Sequence, residues 1–264
     1  KMINLGLIGM SEGNGHPYSW SAIMNGYNSE IMKECPFPVI PEYLDKHPYP
    51  ADYISKGNVT HIWTQDQNTS AHIADAANIK HIVKAPEDMI GKVDGILLAR
   101  DDYQNHLHFS KPFLQAGLPI YIDKPLANSP SDAKSIFKLQ QYQEQIFTCS
   151  ALRYLNDFEK LKNKISDIQC IYAHTPKSWS LYGIHIIEPI VKLMGLSVDN
   201  HIEIKSRTIN GEKVRLDMTC KNIDLSFESA GIPEGQIFYD IKYIDGSTER
   251  ILVGDVFIAF RSAL

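Results

Sequence analysis

The chain has 264 residues, of which 44% are hydrophobic and 22% are charged, and its formal net charge is −5. This composition is typical of a globular protein with enough apolar side chains for two domain cores. The mild acidity argues against nucleic acid or an anionic membrane as the main partner, because both attract basic surfaces. No apolar run approaches the roughly 20 residues that a membrane-spanning helix needs. Four cysteines lie far apart without a C-x-x-C pair, which favours reduced thiols and a cytoplasmic protein.

The first half of the chain alternates short apolar segments with helical or turn-rich segments. We predict buried strands at residues 3–8, 59–63, 81–83, 95–99, 118–122 and 146–150, and helices at 17–26, 69–77 and 129–143. Repeated β–α units with buried strands indicate an α/β domain of the Rossmann type, a doubly wound parallel sheet. We assign this dinucleotide-binding domain to residues 1–150. Segment 27–58, rich in Pro and Tyr, has no assigned regular structure.

From about residue 151 the pattern changes. We predict helices at residues 152–162 and 179–194 and strands at 168–174, 202–209, 213–220, 223–228, 237–243 and 249–253. Asn210-Gly211 and Asp245-Gly246 are strong signals for tight hairpins. The second domain, residues 151–264, is therefore expected to be α+β, with an open antiparallel meander as its sheet.

A glycine-rich turn, Gly9-Met-Ser-Glu-Gly-Asn-Gly-His-Pro17, joins the first strand to the first helix. Glycines let backbone N–H groups approach a pyrophosphate, and a helix N-terminus attracts negative charge. The match to G-x-G-x-x-G is imperfect, because Ser11 occupies the second glycine position. The candidate cofactor contacts in this turn are Gly9, Ser11, Gly13, Asn14, Gly15 and His16. The alternative interpretation is a plain connection between a strand and a helix.

The second predicted strand ends at Thr64-Gln65-Asp66, where a dinucleotide fold places the residues that contact the adenosine ribose. Thr64 and Asp66 are the candidates for this contact. Thr64 does not exclude a 2′-phosphate, and Asp66 can reach a ribose hydroxyl. The choice between NAD and NADP therefore stays open.

Asp123, Lys124 and Pro125 follow directly on the apolar segment 118–122. A lysine at the carboxyl end of a buried strand points into the crevice where open α/β sheets bind ligands. Asp123 can keep the ammonium charged, and Pro125 fixes the backbone direction. The alternative is a surface lysine at the end of a strand.

Several of these motifs, taken in order, resemble the Gfo/Idh/MocA oxidoreductase family, which includes glucose-fructose oxidoreductase and inositol dehydrogenase. Residues 93–127 are similar to its strand, its loop ending in His (here His106), its next helix and its Glu-Lys-Pro, here Asp123-Lys124-Pro125. Arg153-Tyr154 resembles the opening of the family's second domain. Tyr182-Gly-Ile-His185-Ile-Ile-Glu188 is similar to its G-x-H-x-x-D helix.

The resemblance implies a two-domain enzyme that uses NAD or NADP on the CH–OH groups of a sugar, sugar nucleotide or cyclitol. It implies that Lys124 orients the substrate hydroxyl and that His185 is the general acid/base. A histidine titrates near neutrality and can accept the hydroxyl proton, and a nearby lysine stabilises the developing alkoxide. Ala99, His106 and the Asp123-Lys124-Pro125 motif would contact the cofactor. A homodimer or dimer of dimers, formed through the sheet of the second domain, is also implied.

One departure from the family pattern concerns this histidine. Family members usually carry an Asp four residues before it, and here that position is Leu181. Tyr182 and Lys177 are the candidate substitutes, with Tyr182 as a catalytic residue and Lys177 as a substrate contact.

The other candidate substrate contacts are Trp179, Arg153 and Glu188. Glu188 and Lys192 share a helix face with His185 in this prediction, and a purely structural His185–Glu188 pair is the alternative. Pro189 removes the N–H that would bond the carbonyl of His185, so we expect a kink there.

Two further functions stay open. A catalytically weak relative could bind dinucleotide or sugar as a sensor or accessory protein, which Leu181 and Ser11 motivate. The second open function is the reduction of an imine or another unsaturated substrate. A metal is not expected, because His106 and His108 with the nearby Asp101 and Asp102 lack a third ligand at zinc-like spacing.

Overall fold

A computed structural model describes residues 2–264. The chain divides into two compact units, one reaching to Cys149 and including Leu264, the other comprising Ser150–Ala263. Each unit contains a six-stranded sheet. Within the described residues, none of the helices combines the length and the apolar character needed to cross a membrane.

The first unit is built on a parallel sheet. Its strands are β1 (Ile3–Ile8), β2 (Gly57–Trp63), β3 (His81–Ile82), β4 (Gly95–Leu98), β5 (Ile120–Ile122) and β6 (Ile146–Phe147). The order across the sheet is β3-β2-β1-β4-β5-β6, and every neighbouring pair is parallel. The chain winds outward from β1 in one direction and from β4 in the other, which leaves a crevice at the carboxyl ends of these two strands. The predicted doubly wound sheet is confirmed.

Helices pack against this sheet. They are α1 (His16–Asn25), α2 (Ser29–Met32), α3 (Val39–Leu44), α4 (Gln67–Ala76), α5 (His106–Gln115) and α6 (Pro130–Phe137). The core includes Ile8 of β1, Leu98 of β4 and Ile122 of β5, which share a buried cluster with Phe113 and Leu114 of α5. Segment 27–58, unassigned from the sequence, contains α2 and α3 before it enters β2.

The helix expected over residues 129–143 is shorter, because α6 ends at Phe137. Two glutamine side chains bind the end of α5 instead of continuing the helix. Gln141 Nε2 and Gln145 Nε2 donate to the carbonyl oxygen of Leu114 at 2.6 and 3.0 Å. These contacts fold residues 138–145 back towards α5.

The second unit has a mixed sheet beside its helices. Its helical elements are the 3₁₀ turns Ala151–Tyr154 and Lys162–Asp167 and the helices α7 (Asn156–Leu161), α8 (Trp179–Met194) and α9 (Phe257–Ala263). Its strands are β7 (Ile168–Thr175), β8 (Ile202–Asn210), β9 (Lys213–Cys220), β10 (Ile223–Ser229), β11 (Phe238–Tyr243) and β12 (Thr248–Leu252). The α+β fold class is confirmed.

The predicted meander is wrong at its centre. The order is β12-β11-β7-β10-β9-β8, and β7 lies between β10 and β11. β7 is parallel to β10 and antiparallel to β11, so the sheet is mixed. The hairpin signals specify only neighbouring strands, and an earlier strand can enter the sheet between two hairpins without a local signature.

The continuous helix expected over residues 152–162 is also wrong. Leu155 is extended, with φ −61° and ψ 131°, and it separates the turn Ala151–Tyr154 from α7. The side chain of Ser150 accepts a hydrogen bond from the N–H of Leu152 and caps that first turn.

Candidate functional site

The glycine-rich turn lies between β1 and α1, at the carboxyl edge of the parallel sheet. A Cβ on Gly9 would stand 2.7 Å from Cγ of Pro17, so only glycine lets α1 pack this closely on the end of β1. Gly13 has φ 73°, and nothing lies within 4 Å of the position of its missing Cβ. The first turn of α1 has no acidic residue, and its first N–H, that of His16, donates to Oδ1 of Asn14 at 2.8 Å. This turn therefore offers an exposed backbone at Gly13 beside a helix N-terminus, a combination that suits an anionic ligand.

Six side chains at the ends of β1, β4 and β5 form a continuous polar group, which we call the Lys124 cluster. It consists of Ser11, Asn14, His16, Asp101, Asp123 and Lys124. Lys124 is 4% exposed and Asp123 is 1% exposed. Lysine and aspartate are seldom buried this completely unless they are paired. The sequence predicted Lys124 at a crevice, and the alternative of a surface lysine is wrong.

Asp123 is the anionic centre of this cluster. Its Oδ2 accepts from Nδ2 of Asn14 at 2.9 Å and lies 2.5 Å from Nδ1 of His16, while its Oδ1 accepts from the backbone N–H of Lys124 at 2.7 Å. Burial alone would raise the pKa of Asp123, but the charges of His16 and Lys124 and the hydrogen bonds from His16 and Asn14 lower it to about 2. Because a carboxylate only accepts, His16 donates from Nδ1 in this contact.

Asp101 is the carboxylate that pairs with the ammonium of Lys124. Its Oδ2 lies 3.5 Å from Nζ of Lys124, and its Oδ1 accepts from Oγ of Ser11 at 2.6 Å. Ser11 also accepts from the backbone N–H of Asp101 at 3.1 Å. The residue that breaks the glycine motif therefore directs its side chain towards Asp101 rather than towards the open side of the turn. No local sequence pattern indicates this role of Asp101.

Arg100, next to Asp101, is a second residue whose role has no local sequence signal. Its guanidinium is bidentate to Asp102, with distances of 2.9 and 2.6 Å, and its NH1 donates to the carbonyl of Gly9 at 3.2 Å. NH1 also donates to Gln65, whose amide binds both the N–H and the carbonyl of Met10. Arg100 thus fastens the glycine turn to the ends of β2 and β4.

His106 and Ala99 also lie at the end of β4, and both are fully buried. The ring nitrogens of His106 contact two backbone carbonyls, that of Leu126 at 3.0 Å and that of Arg100 at 2.7 Å. The structure therefore places His106 as a link between the loops after β4 and β5, whereas the resemblance implied a direct cofactor contact. Ala99 donates its N–H to Ile8 at 2.9 Å.

The candidate ribose contacts follow β2. Thr64 is buried and its hydroxyl donates to the carbonyl of Asp66 at 2.6 Å. Asp66 is the N-cap of α4, where its carboxylate accepts from the N–H and hydroxyl of Thr69 at 2.8 and 2.7 Å. These hydrogen bonds lower the pKa of Asp66. Asp66 is therefore an exposed, ionised carboxylate at the end of the second strand.

In the second unit, His185 lies on α8 and contacts the first residue of that unit. Its Nδ1 is 2.7 Å from Oγ of Ser150. Glu188 accepts from the backbone N–H of Ser150 at 2.5 Å and from Arg153 at 2.7 Å. Burial raises the pKa of Glu188 in spite of these two contacts and the positive charge of Arg153. His185 and Glu188 therefore share a partner, because His185 contacts the hydroxyl of Ser150 and Glu188 accepts from its backbone N–H.

Pro189 lies inside α8, and the helix continues through it. The carbonyl of His185, which would bond the N–H missing at Pro189, accepts instead from the hydroxyl of Tyr239 at 2.7 Å. Tyr239 lies on β11 and is fully buried. Neither Ser150 nor Tyr239 has a sequence signal that connects it to His185.

The two candidate substitutes for the family's Asp contact each other. Lys177 donates from Nζ to the hydroxyl of Tyr182 at 2.8 Å, and the ring of Tyr182 lies 5.3 Å from that of His185. Leu181, at the family's Asp position, is half-buried. Trp179 packs its ring on the same helix, 3.1 Å from where a Cβ of Gly183 would stand. A polar pair therefore lies beside His185 even though the Asp is missing.

The sheet order and the glycine turn define an α/β dinucleotide-binding domain, and comparison with known proteins agrees. Residues 4–151, more than half of the chain, match the Gfo/Idh/MocA family model, described as an oxidoreductase family with an NAD-binding Rossmann fold. The chain belongs to this family, which confirms the resemblance found in the sequence. No curated protein matches the chain in sequence.

Solved structures share the fold across nearly the whole chain. The dehydrogenase MviM from Clostridium difficile is 16% identical, with a TM-score of 0.67 over 99% of this chain and 88% of that one. The myo-inositol 2-dehydrogenase from Lactobacillus plantarum is 11% identical, with a TM-score of 0.68 over 99% and 87%. The scyllo-inositol dehydrogenase from Lactobacillus casei, with bound NAD(H) and scyllo-inositol, is 13% identical, with a TM-score of 0.64 over 95% and 76%. At these identities the likeness concerns the fold.

Proposed function

We propose that this protein is an NAD(P)-dependent oxidoreductase that transfers a hydride to or from a CH–OH carbon of a sugar, sugar nucleotide or cyclitol. The observation that carries the proposal is the Lys124 cluster, in which a buried lysine pairs with Asp101 and follows the buried carboxylate of Asp123, at the ligand-binding edge of an NAD-binding Rossmann sheet. A buried, charge-paired lysine in such a crevice is suited to catalysis.

The residues of the first unit fit a nicotinamide dinucleotide, which supplies the hydride acceptor or donor when it is bound. The exposed backbone at Gly13 and a first turn of α1 without acidic residues favour a pyrophosphate there. The proposed contacts along the cofactor are Gly9, Ser11, Gly13, Asn14, Gly15, His16, Thr64, Asp66, Ala99, Asp123, Lys124 and Pro125. The exposed carboxylate of Asp66 supports a preference for NAD, because it would repel a 2′-phosphate.

Lys124 would stabilise the alkoxide that develops on the substrate oxygen. Its ammonium is already oriented by Asp101, and Asp123 contributes a further negative charge that interacts with it. Because these groups are fixed before substrate binds, little reorganisation is needed as the charge develops.

His185 would take the proton of the substrate hydroxyl as the hydride leaves, and return it in the reverse direction. Ser150 orients the ring through Nδ1, and Tyr182 with Lys177 supplies the polar neighbour that the family's Asp would provide. General acid–base catalysis of this kind contributes typically about 10²–10⁴-fold.

A cyclitol or sugar is the substrate class we favour, because the Lactobacillus casei relative was solved with scyllo-inositol. The half-buried ring of Trp179 is available to pack on such a ring, and Arg153 and Glu188 are polar enough to bind hydroxyl groups.

The test measures the absorbance of the reduced cofactor at 340 nm while the enzyme turns over NAD⁺ or NADP⁺. The probe substrates are myo-inositol, scyllo-inositol, glucose and UDP-glucose. We expect reduction of NAD⁺ by at least one cyclitol or sugar and loss of that activity in Lys124→Ala. NADH binding without turnover on a widened panel would favour the second candidate, a sensor or accessory protein, for which Leu181 is the supporting observation. No binding of either cofactor by the folded protein would contradict both.

We further propose a homodimer that forms through the second sheet, and a cytoplasmic location, consistent with four cysteines that stand as thiols. The face of that sheet opposite α8 carries aromatic and ionic side chains, and the edge strand β8 exposes Ile202, Ile204 and Ile209. Arg250 pairs with Asp240 over Phe238, and Arg215 pairs with Asp217 and Glu228. Light scattering at tens of micromolar should give the mass of a dimer, and Arg215→Glu should weaken it. A monomeric mass for the wild-type chain would overturn this proposal.

A further inference from the structure

A cavity of ≈ 430 Å³ lies in the first unit, at the end of α1 that is remote from the glycine turn. It is lined by Gly26, just after α1, by Asn78, just after α4, and by residues of segment 27–58. None of its lining residues belongs to the Lys124 cluster or to the glycine turn. Its volume lies within the range of roughly 300–1,000 Å³ that is typical of small-molecule sites.

Three tyrosines line this cavity: Tyr27, Tyr49 and Tyr53. The rings of Tyr49 and Tyr53 are almost perpendicular, at 83°, with their centroids 5.0 Å apart. Tyr53 is buried, whereas Tyr49 is 61% exposed and its ring packs on the Cα of Gly26. A Cβ at Gly26 would stand 2.7 Å from that ring, and Gly26 has φ 72°, so the wall formed by Tyr49 depends on a glycine at this position.

The cavity is lined by one carboxylate, Asp45, and by one histidine, His47, whose Nδ1 lies 3.1 Å from Oδ2 of Asp52. Asp45 accepts a hydrogen bond from the hydroxyl of Tyr27, and no lysine or arginine is among the lining residues. α1 and α4 both end beside the cavity, and neither has a basic residue in its last turn. The carbonyls of Ala76 and Ala77 accept from Asn28 N–H and Asn25 Nδ2, but no cationic side chain in either last turn offsets the partial negative charge of the helix C-terminus. Lys33, the cation that interacts with Asp45 from outside, is paired with Glu30 at 2.8 Å.

The phenols themselves stay neutral at physiological pH. Burial raises the pKa of Tyr53 to about 12, in spite of the hydrogen bond with Tyr27. Burial, followed by the hydrogen bond to Asp45, raises the pKa of Tyr27 as well. The rings are therefore neutral, and the faces of neutral aromatic rings attract cations.

We propose that this cavity is a binding site for a small organic ammonium ion. Perpendicular aromatic walls with a carboxylate at the rim are the arrangement that recognises ammonium groups, because the ring faces and the carboxylate attract the same charge. An anion would meet Asp45 and two helix C-termini. A neutral sugar would use the rings and hydroxyls but would gain nothing from the negative potential.

This site is independent of the proposed hydride transfer. It occupies the end of the first unit where α1 and α4 finish, whereas the dinucleotide crevice lies where α1 begins. A failure to find a redox substrate would leave this inference unaffected.

The experiment is calorimetric titration of the intact protein with choline and with 3,3-dimethyl-1-butanol, its neutral isostere, at constant ionic strength. We expect choline to bind and the isostere to bind at least roughly 10-fold more weakly, because only choline carries the charge that cation–π contacts need. Glucose serves as the neutral sugar probe. Saturating NADH should leave the choline affinity unchanged.

Variants identify the cavity as the site. Asp45→Asn keeps an acceptor for Tyr27 but removes the charge, and Tyr49→Ala removes an exposed wall. Each should weaken choline binding by roughly 5–30-fold, the size expected for loss of one such contact. Tyr142→Ala and Glu87→Gln, exposed positions outside the cavity, are the matched controls and should not change it. Equal binding of choline and the isostere, tighter binding of glucose, no binding at 100-fold excess over protein, or unchanged affinity in Asp45→Asn would each overturn the proposal.

Discussion

The hydroxyl of Tyr239 donates a hydrogen bond of 2.7 Å to the backbone carbonyl of His185. Four residues after His185, Pro189 has no N–H to give, so this carbonyl would be unsatisfied inside α8. A buried tyrosine from the neighbouring sheet replaces the missing helical donor. Tyr239 on β11 therefore supplies the donor that Pro189 lacks. This hydrogen bond fixes the backbone at His185, the proposed acid/base.

Tyr239→Phe should lower the free energy of unfolding by about 1–3 kcal/mol, because it leaves a buried carbonyl without a partner. In the background of Pro189→Ala, which restores an N–H at the right position, the same substitution should cost clearly less. Urea unfolding of the four proteins in this double-mutant cycle measures the coupling. Equal losses in both backgrounds would mean that Tyr239 stabilises the unit by packing alone.

Ser150→Ala should lower kcat by roughly 10–100-fold, because small misplacements of a catalytic group have effects of this size. The hydroxyl orients His185 through Nδ1 without touching substrate in our proposal. Ser150→Thr, which keeps a hydroxyl, should retain most of the activity, and His185→Ala should remove one ionisation from the pH profile of kcat/KM. If Ser150→Ala matches the wild type while His185→Ala is inactive, the histidine does not need this partner.

Lys124→Ala should lower kcat/KM by roughly 10²–10⁴-fold, because it removes charge stabilisation that acts mainly in the transition state. Steady-state rates at 340 nm measure this, with Lys111→Ala, an exposed lysine on α5, as the control. Circular dichroism checks that the variant folds, since Asp101 and Asp123 lose a cation. Near-wild-type turnover in a folded Lys124→Ala protein would contradict the proposed role.

The sequence was sufficient to predict much of the first unit and less of the second. Strand–helix alternation specifies a parallel sheet almost completely, because each β–α unit carries its own apolar run and turn. The insertion of β7 between β10 and β11 is a long-range pairing that no local pattern encodes. Lys124 and His185 were proposed as site residues from motifs, whereas Ser150, Tyr239 and Arg100 were not. Ser150 and Tyr239 bind His185, and Arg100 binds Gly9 and Gln65, and all of these partners are distant in the chain.

Asp123 should make stability depend on pH in the acid range. Its folded pKa of about 2 lies below the ordinary value near 3.8, so its contribution is fully present above about pH 4 and is lost as the pH falls through about 2. The difference corresponds to a contribution on the order of 2 kcal/mol at neutral pH. Asp123→Asn should therefore be less stable than the wild type at pH 7, and the gap should close towards pH 2. Urea unfolding across this range measures it, and a gap that does not change with pH would exclude the charge as its cause.

Arg100→Lys should both destabilise the first unit and weaken the binding of NADH. The guanidinium spans three partners, since it is bidentate to Asp102 and also binds Gly9 and Gln65. Although burial opposes it, the hydrogen bond from Arg100 lowers the pKa of Asp102. A lysine has one compact ammonium, which cannot bind Asp102, Gly9 and Gln65 at the same time.

The expected loss for Arg100→Lys is about 1–3 kcal/mol in the free energy of unfolding, the range for a hydrogen-bonded group that keeps its charge but loses its geometry. NADH affinity should fall because the turn at Gly9 would no longer be fastened to the ends of β2 and β4. Urea unfolding and titration of NADH fluorescence measure the two effects, and Arg207→Lys on the exposed strand β8 is the control. A variant with the stability of the wild type but weaker NADH binding would mean that Arg100 contacts the cofactor itself rather than the turn that holds it.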